Sequence, residues 1–138
     1  MSALRLFFLA VLVGMLAVIT WASSQVALFE IPREVVSHPW FLATLADAYL
    51  AFTAFWIWVA WKEQSLGARV LWLVNLLLWG NPAIAAYMLM EIARVKREGG
   101  GVDQVFTTKR PGRLLVPGVM AIAAVAVYLL GAKNILFA

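Results

Sequence analysis

The sequence predicts an all-α, multi-pass membrane protein: a single domain, residues 1–138, built as a four-transmembrane-helix bundle with helices two and three as an antiparallel hairpin. Three observations predict it. Of the 138 residues, 64% are hydrophobic and 13% charged, and the mean hydropathy is +0.91. A soluble domain carries roughly 25% charged residues, so this chain cannot cover itself with polar surface, and lipid must act as part of its solvent. Four stretches are long and apolar enough to cross a hydrocarbon core of about 30 Å at ~1.5 Å per residue. Tryptophans (Trp21, Trp40, Trp61 and Trp72) stand near the ends of the first three, where an indole keeps its ring in lipid and its N–H in the headgroup layer.

The first span covers about residues 4–22. One Arg and an apolar run make it resemble a signal peptide, but Thr20-Trp21-Ala22 is a poor cleavage pattern, and it reads as a retained helix. The second span covers 40–61, with Trp40 and Trp61 at its ends. KEQSLGAR, residues 62–69, then makes a tight turn in which Lys62 and Glu63 are expected to be solvated or to cap. The third span covers 70–93, with Trp72 near its start. Asn81-Pro82 is expected to kink it, because proline removes a backbone hydrogen bond. Residues 94–113 (RVKREGGGVDQVFTTKRPGR) form a long basic loop, and Gly99, Gly100 and Gly101 stop any helix there. The fourth span covers 114–132, with Pro117-Gly118 near its start. No stretch alternates as a transmembrane strand would, and helices satisfy their own backbone groups in lipid.

The net charge of +4 does not point to nucleic acid, because the Lys and Arg residues flank apolar runs. That placement fits anionic headgroups and topology control. The chain has no Cys and one His, which excludes disulfides, thiolate catalysis, Cys-ligated metals, His-rich metal sites and two-histidine haem. No P-loop, Rossmann glycine pattern, HExxH or G-x-S-x-G is present. No metal and no cofactor are expected. In a four-span arrangement the first and third loops share one side and carry seven cations: Arg33, Arg94, Lys96, Arg97, Lys109, Arg110 and Arg113. The other side carries four: Arg5, Lys62, Arg69 and Lys133. The positive-inside rule then predicts a cytoplasmic 94–113 loop and both termini outside.

Ionisable groups within spans are the candidates for chemistry, since a carboxylate at the bilayer centre costs about 2.5–3.5 kcal/mol on insertion scales. Asp47 lies about two turns inside the second span, on one helical face with Trp40, Ala51, Ala54 and Trp58. It is either a polar packing site that orders the bundle or an intramembrane acid, base or ion ligand. Glu91 shares a face with Gly80, Ala83 and Tyr87. It either pairs with Arg94 at the interface or joins Asp47, Tyr87 and His38 near one mouth of the bundle. If the protein is an enzyme, Asp47 and Glu91 are the catalytic candidates. Trp40, Tyr49, Trp58, Asn81 and Tyr87 are the candidate ligand-binding residues.

One ordered set of residues carries a resemblance: Pro39-Trp40, Leu45, Asp47, Tyr49, Trp58, Glu63, Ser65, Trp72, Gly80 and Tyr87. Over about residues 38–94 this resembles an uncharacterised family of short bacterial integral membrane proteins, classed as a domain of unknown function. The resemblance implies a helical membrane fold in the bacterial inner membrane and no particular activity. The residues favour a non-enzymatic accessory, lipid-binding or partner-binding bundle, with membrane lipids and a membrane-protein partner or second copy as its contacts. An acid-catalysed isoprenoid or lipid cyclase or isomerase using Asp47 is the alternative, by analogy with small membrane-bound terpene cyclases. A small oligomeric transporter using Asp47, Asn75, Asn81 and Glu91 is the second alternative.

Overall fold

The computed structural model describes residues 1–136, with side chains as far as residue 133. Among them every regular element is helical: α1 Ser2–Gln25, α2 Arg33–Val36, α3 Pro39–Lys62, α4 Leu66–Trp79, α5 Asn81–Arg97, α6 Val102–Thr107 and α7 Leu115–Leu136, with a 3-10 turn at Leu28–Glu30. Three of them, α1, α3 and α7, are long and apolar enough to cross a membrane.

Local chemistry sets the boundaries. Pro39 occupies the first turn of α3, and His38 Nδ1 accepts from the Trp40 amide at 3.3 Å. Ser65 caps α4 by accepting from the Ala68 amide at 3.1 Å. α5 stops where Gly99 takes φ +72° and the Gly100 amide turns back to the Val95 carbonyl at 2.9 Å.

The predicted third span, 70–93, is not one kinked helix. It is two helices, α4 and α5, broken at Gly80. Gly80 has φ +63° and ψ −125°, a conformation that only glycine adopts readily. A Cβ there would sit 2.9 Å from Phe52 Cζ. Pro82 then fits the first turn of α5, where a missing N–H is harmless.

The order of contacts gives the chain path. Tyr49 Oη donates to the Leu77 carbonyl at 3.3 Å and Trp56 Nε1 to the Arg69 carbonyl at 2.8 Å. α4 therefore runs back along α3. Past Gly80 the chain reverses again, so that Trp72 and Tyr87 meet edge to face at 4.9 Å. Asn75 Nδ2 and Trp79 Nε1 then tie α4 to the Pro117 and Met120 carbonyls of α7 at 2.8 and 3.0 Å. Because of the Gly80 reversal, the α1 N-terminus, the α3–α4 turn, the end of α5, α6 and the start of α7 share one end. Arg5 and Leu9 indeed line a groove with Ile92, Lys96 and Arg97. The expected arrangement, with 62–69 and 94–113 at opposite ends, does not occur.

Burial runs against hydropathy. No residue of α1 is buried, and only Val59 and Lys62 are buried in α3. By contrast α5, which ends in Arg94, Lys96 and Arg97, buries Pro82, Ala83, Ala85, Tyr87, Met88, Glu91, Ile92 and Val95. The long apolar helices thus have little cover from the rest of the chain, which is compatible with a lipid surround. Trp21, Trp40 and Trp61 stay exposed, as interface anchors should. Trp72, expected at an interface, is instead in the core at 1% exposure, beside Val59, Ala68 and Tyr87.

Candidate functional site

α5 carries its only carboxylate against the α3–α4 turn. Glu91, with no exposed surface, accepts from three cations. Lys62 Nζ reaches Oε2 at 2.7 Å, Arg110 Nε reaches the same oxygen at 2.9 Å, and Arg94 Nη1 reaches Oε1 at 2.8 Å. Lys62, equally buried, also donates to the Val105 carbonyl of α6 and lies 5.0 Å from the Trp58 ring centroid. Trp58 Nε1 in turn holds the Phe106 carbonyl at 3.1 Å. Burying ions this deeply is tolerable only when each is paired and hydrogen-bonded, and this cluster meets that condition.

Backbone pairing fixes the ring of charges. The Arg110 amide donates to the Lys62 carbonyl at 2.8 Å, and the Gln64 amide to the Arg110 carbonyl at 2.9 Å. Ser65 Oγ reaches the Gly112 carbonyl at 2.8 Å. Gly112 has φ +83°, and a Cβ there would run into Ser65. The loop after α6 is thus stitched to the α3–α4 turn.

Glu63 sits one residue along, 2% exposed, and accepts from Tyr87 Oη at 2.9 Å. Burial pushes its carboxyl above the usual carboxylate range, although the Tyr87 bond pulls the other way. Burial works against the charge of Arg110, but its bonds to Glu98 and Glu91 outweigh it and raise its pKa. Arg110 Nη1 holds Glu98 Oε1 at 2.8 Å, while its Nη2 is buried with no hydrogen-bond partner.

Two cavities open beside the cluster. One, about 500 Å³, runs between α1 and α5 over Leu9, Leu89, Ile92 and Ala93, with Arg5, Lys96 and Arg97 around it. The other, about 320 Å³, is lined by Arg94, Arg97, Glu98, Arg110, Pro111, Gly112 and Arg113. Arg97 lines both.

The predicted site residues are not brought together. Glu91 and Tyr87 belong to the buried cluster, and Trp58 packs beside it. Asp47 is exposed on α3, fifteen residues before Lys62 and so about 22 Å along the helix from the Glu91 end. The expected meeting of Asp47, Glu91, Tyr87 and His38 at one mouth does not form. Trp40 is 78% exposed. Tyr49 is exposed and tied to Leu77, and Asn81 is exposed at the start of α5. Glu91 does pair with Arg94, but it is sealed inside rather than at the interface. Lys62 and Glu63, expected to be solvated or to cap, are both buried, with Glu63 at the C-cap of α3. Two signals pointed toward this region. Glu91 and Arg94 have i, i+3 spacing, and Glu63, Ser65 and Tyr87 belong to the resemblance motif. The pairing of Lys62 with Glu91, twenty-nine residues apart, has no local signature.

Among the described residues, spanning-length apolar helices surround a short helical hairpin with a charged plug at one end. That defines a class, an all-helical protein with three helices long and apolar enough to cross a membrane. The chain belongs to the family described as protein of unknown function (DUF1475), which it matches over residues 2–132. The match extends well beyond residues 38–94, on which the sequence resemblance rested. No curated protein and no solved structure matches the chain.

Proposed function

We propose that this chain is a non-enzymatic, multi-pass inner-membrane protein whose basic end binds anionic phospholipid. One observation carries the reading: the groove between α1 and α5, apolar along Leu9, Leu89, Ile92 and Ala93 and flanked by Arg5, Lys96 and Arg97. An acyl chain and a phosphate have that same division of chemistry. Cations near the membrane surface attract anionic headgroups by about 1 kcal/mol each.

The chain path supports three crossings, by α1, α3 and α7, with α4–α5 as a re-entrant hairpin. At fourteen residues, α4 is about 21 Å long, short of the ~30 Å core. Irregular backbone at membrane depth needs protein cover, and Gly80 is buried against Phe52. With this path the cation count changes. Arg5, Lys62, Arg69, Arg94, Lys96, Arg97, Lys109, Arg110 and Arg113 stand at one end, nine of the eleven, leaving Arg33 and Lys133 at the other. The positive-inside rule then favours a cytoplasmic N-terminus as well as a cytoplasmic 94–113 loop.

Acid catalysis has less support. Asp47 lines neither cavity, and Glu91 is saturated by three cations. An exposed carboxylate on one face with Ala51 and Ala54 instead favours a partner helix, or a second copy of the chain, against this face of α3.

The test is native mass spectrometry of the full chain in mild detergent, offered phosphatidylglycerol and phosphatidylcholine. Retention of phosphatidylglycerol, reduced by joint Arg5→Gln and Lys96→Gln substitution, is the expected result. Equal retention of both lipids would refute the reading.

A further inference from the structure

We infer that Arg94, Arg97, Arg110 and Arg113 form a phosphate site for the headgroup of an anionic phospholipid, and that the Glu98 carboxylate occupies it as an exchangeable stand-in. The inference rests on the lipid-binding reading and deepens it. Three observations support it. First, four arginines surround a cavity of about 320 Å³ against one acid, Glu98. Second, Arg110 is 7% exposed, yet its Nη2 has no partner. A buried guanidinium nitrogen with nothing to bond is a standing cost. A phosphate offering two oxygens to the Nη1–Nη2 edge would remove it, since a guanidinium fork matches phosphate geometry.

Third, the two acids on Arg110 differ in how tightly they are held. Glu91 has no exposed side-chain surface and is bound by three cations, whereas the Glu98 side chain is 50% exposed and bound by Arg110 alone. Glu98 also stands just before Gly99, Gly100 and Gly101, backbone that rearranges easily. Glu91 is therefore the fixed counter-ion and Glu98 the movable one. When a phosphate arrives, Glu98 swings into water, where its charge is well solvated, and Nη1 and Nη2 pass to the ligand. Arg97 lines both this cavity and the α1–α5 groove. One lipid can thus lay its phosphate among the arginines and an acyl chain along Leu89 and Ile92.

Substituting the stand-in tests the exchange. The full chain in mild detergent is titrated with short-chain phosphatidylglycerol, with phosphatidylcholine and with inorganic phosphate. Glu98→Gln is expected to bind phosphatidylglycerol about tenfold more tightly, the worth of one charge-assisted bond no longer displaced. Asp103→Asn, which removes the same charge from an exposed side chain on α6, should change affinity less than about twofold, as surface charges do. Arg113→Gln should weaken binding in both backgrounds. If Glu98→Gln gains no more than Asp103→Asn, the stand-in role is wrong. If wild type still prefers phosphatidylglycerol to phosphatidylcholine in that case, the lipid-binding reading survives alone. Tight inorganic phosphate binding by Glu98→Gln, without phosphatidylglycerol binding, would overturn the lipid as the source of the phosphate.

Discussion

Replacing Glu91 by Gln should be the most damaging single isosteric change in this protein. The side chain keeps its size, but its negative charge disappears among three cations. Lys62 loses its 2.7 Å carboxylate partner, Arg110 its 2.9 Å partner and Arg94 its 2.8 Å partner. The new amide also points donors at donors. Lys62 cannot reach water, because it has no exposed surface, and is left with neutral partners alone: the Val105 carbonyl, the Trp58 ring and the amide oxygen. Removing one partner of a buried ion pair costs about 3–5 kcal/mol, because a charge is left buried and uncompensated. For a domain of this length 1 kcal/mol shifts Tm by about 4 °C, so the drop should be roughly 12–20 °C. Thermal unfolding of the full chain in mild detergent, followed by loss of the monodisperse peak in fluorescence-detected size exclusion, reads this directly. Adding Lys62→Met to Glu91→Gln removes one stranded cation and should recover part of the loss. A Glu91→Gln shift below about 4 °C would mean that the cluster is not what holds this end together.

Other expectations can be checked in the same assay. Glu63→Gln should be neutral or stabilising at neutral pH, because the amide oxygen still accepts from Tyr87 and no charge has to be buried. Since burial raises the Glu63 pKa in the fold, its stabilising contribution is complete below the usual carboxylate value and fades as pH rises through the raised one. The Tm of Glu63→Gln relative to wild type should therefore climb over that window, and a falling difference would contradict the assignment. Gly80→Ala should cost about 1–3 kcal/mol through its positive φ, plus displacement of Phe52. An unchanged Tm would mean that the α4–α5 reversal does not need this backbone. Asp47→Asn should stay within about 0.5 kcal/mol of wild type, as exposed substitutions do. If a second copy covers this face, the change will instead appear in the cross-linked dimer fraction.

Composition and residue order were enough to establish the helical class and the first, second and fourth apolar segments. These properties depend on hydropathy summed over about 20 residues, which needs no tertiary partner. The helix stop at Gly99 is equally local. The Glu91–Arg94 pair was also legible, because i, i+3 neighbours meet on any helix. Asp47 attracted attention for a sound reason, the expense of a charge in lipid, but hydropathy cannot say which way a side chain faces.

Folding alone decided the rest. Residues 70–93 read as one span because Asn81-Pro82 suggests only a kink. The decisive feature is Gly80 at φ +63° with Phe52 against it, and a dihedral angle is not written in a residue name. That reversal carries Glu91 back to Lys62 and moves the α3–α4 turn to the same end as the long basic loop. Sequence could count the charges of this protein and mark its apolar segments, since both are sums over the chain. Which charges meet depends on where the chain turns. Only the tertiary structure could convert solvated-looking Lys62 and Glu63 into a buried site, because their cover comes from α5, α6 and the loop at Arg110, residues far away in the chain.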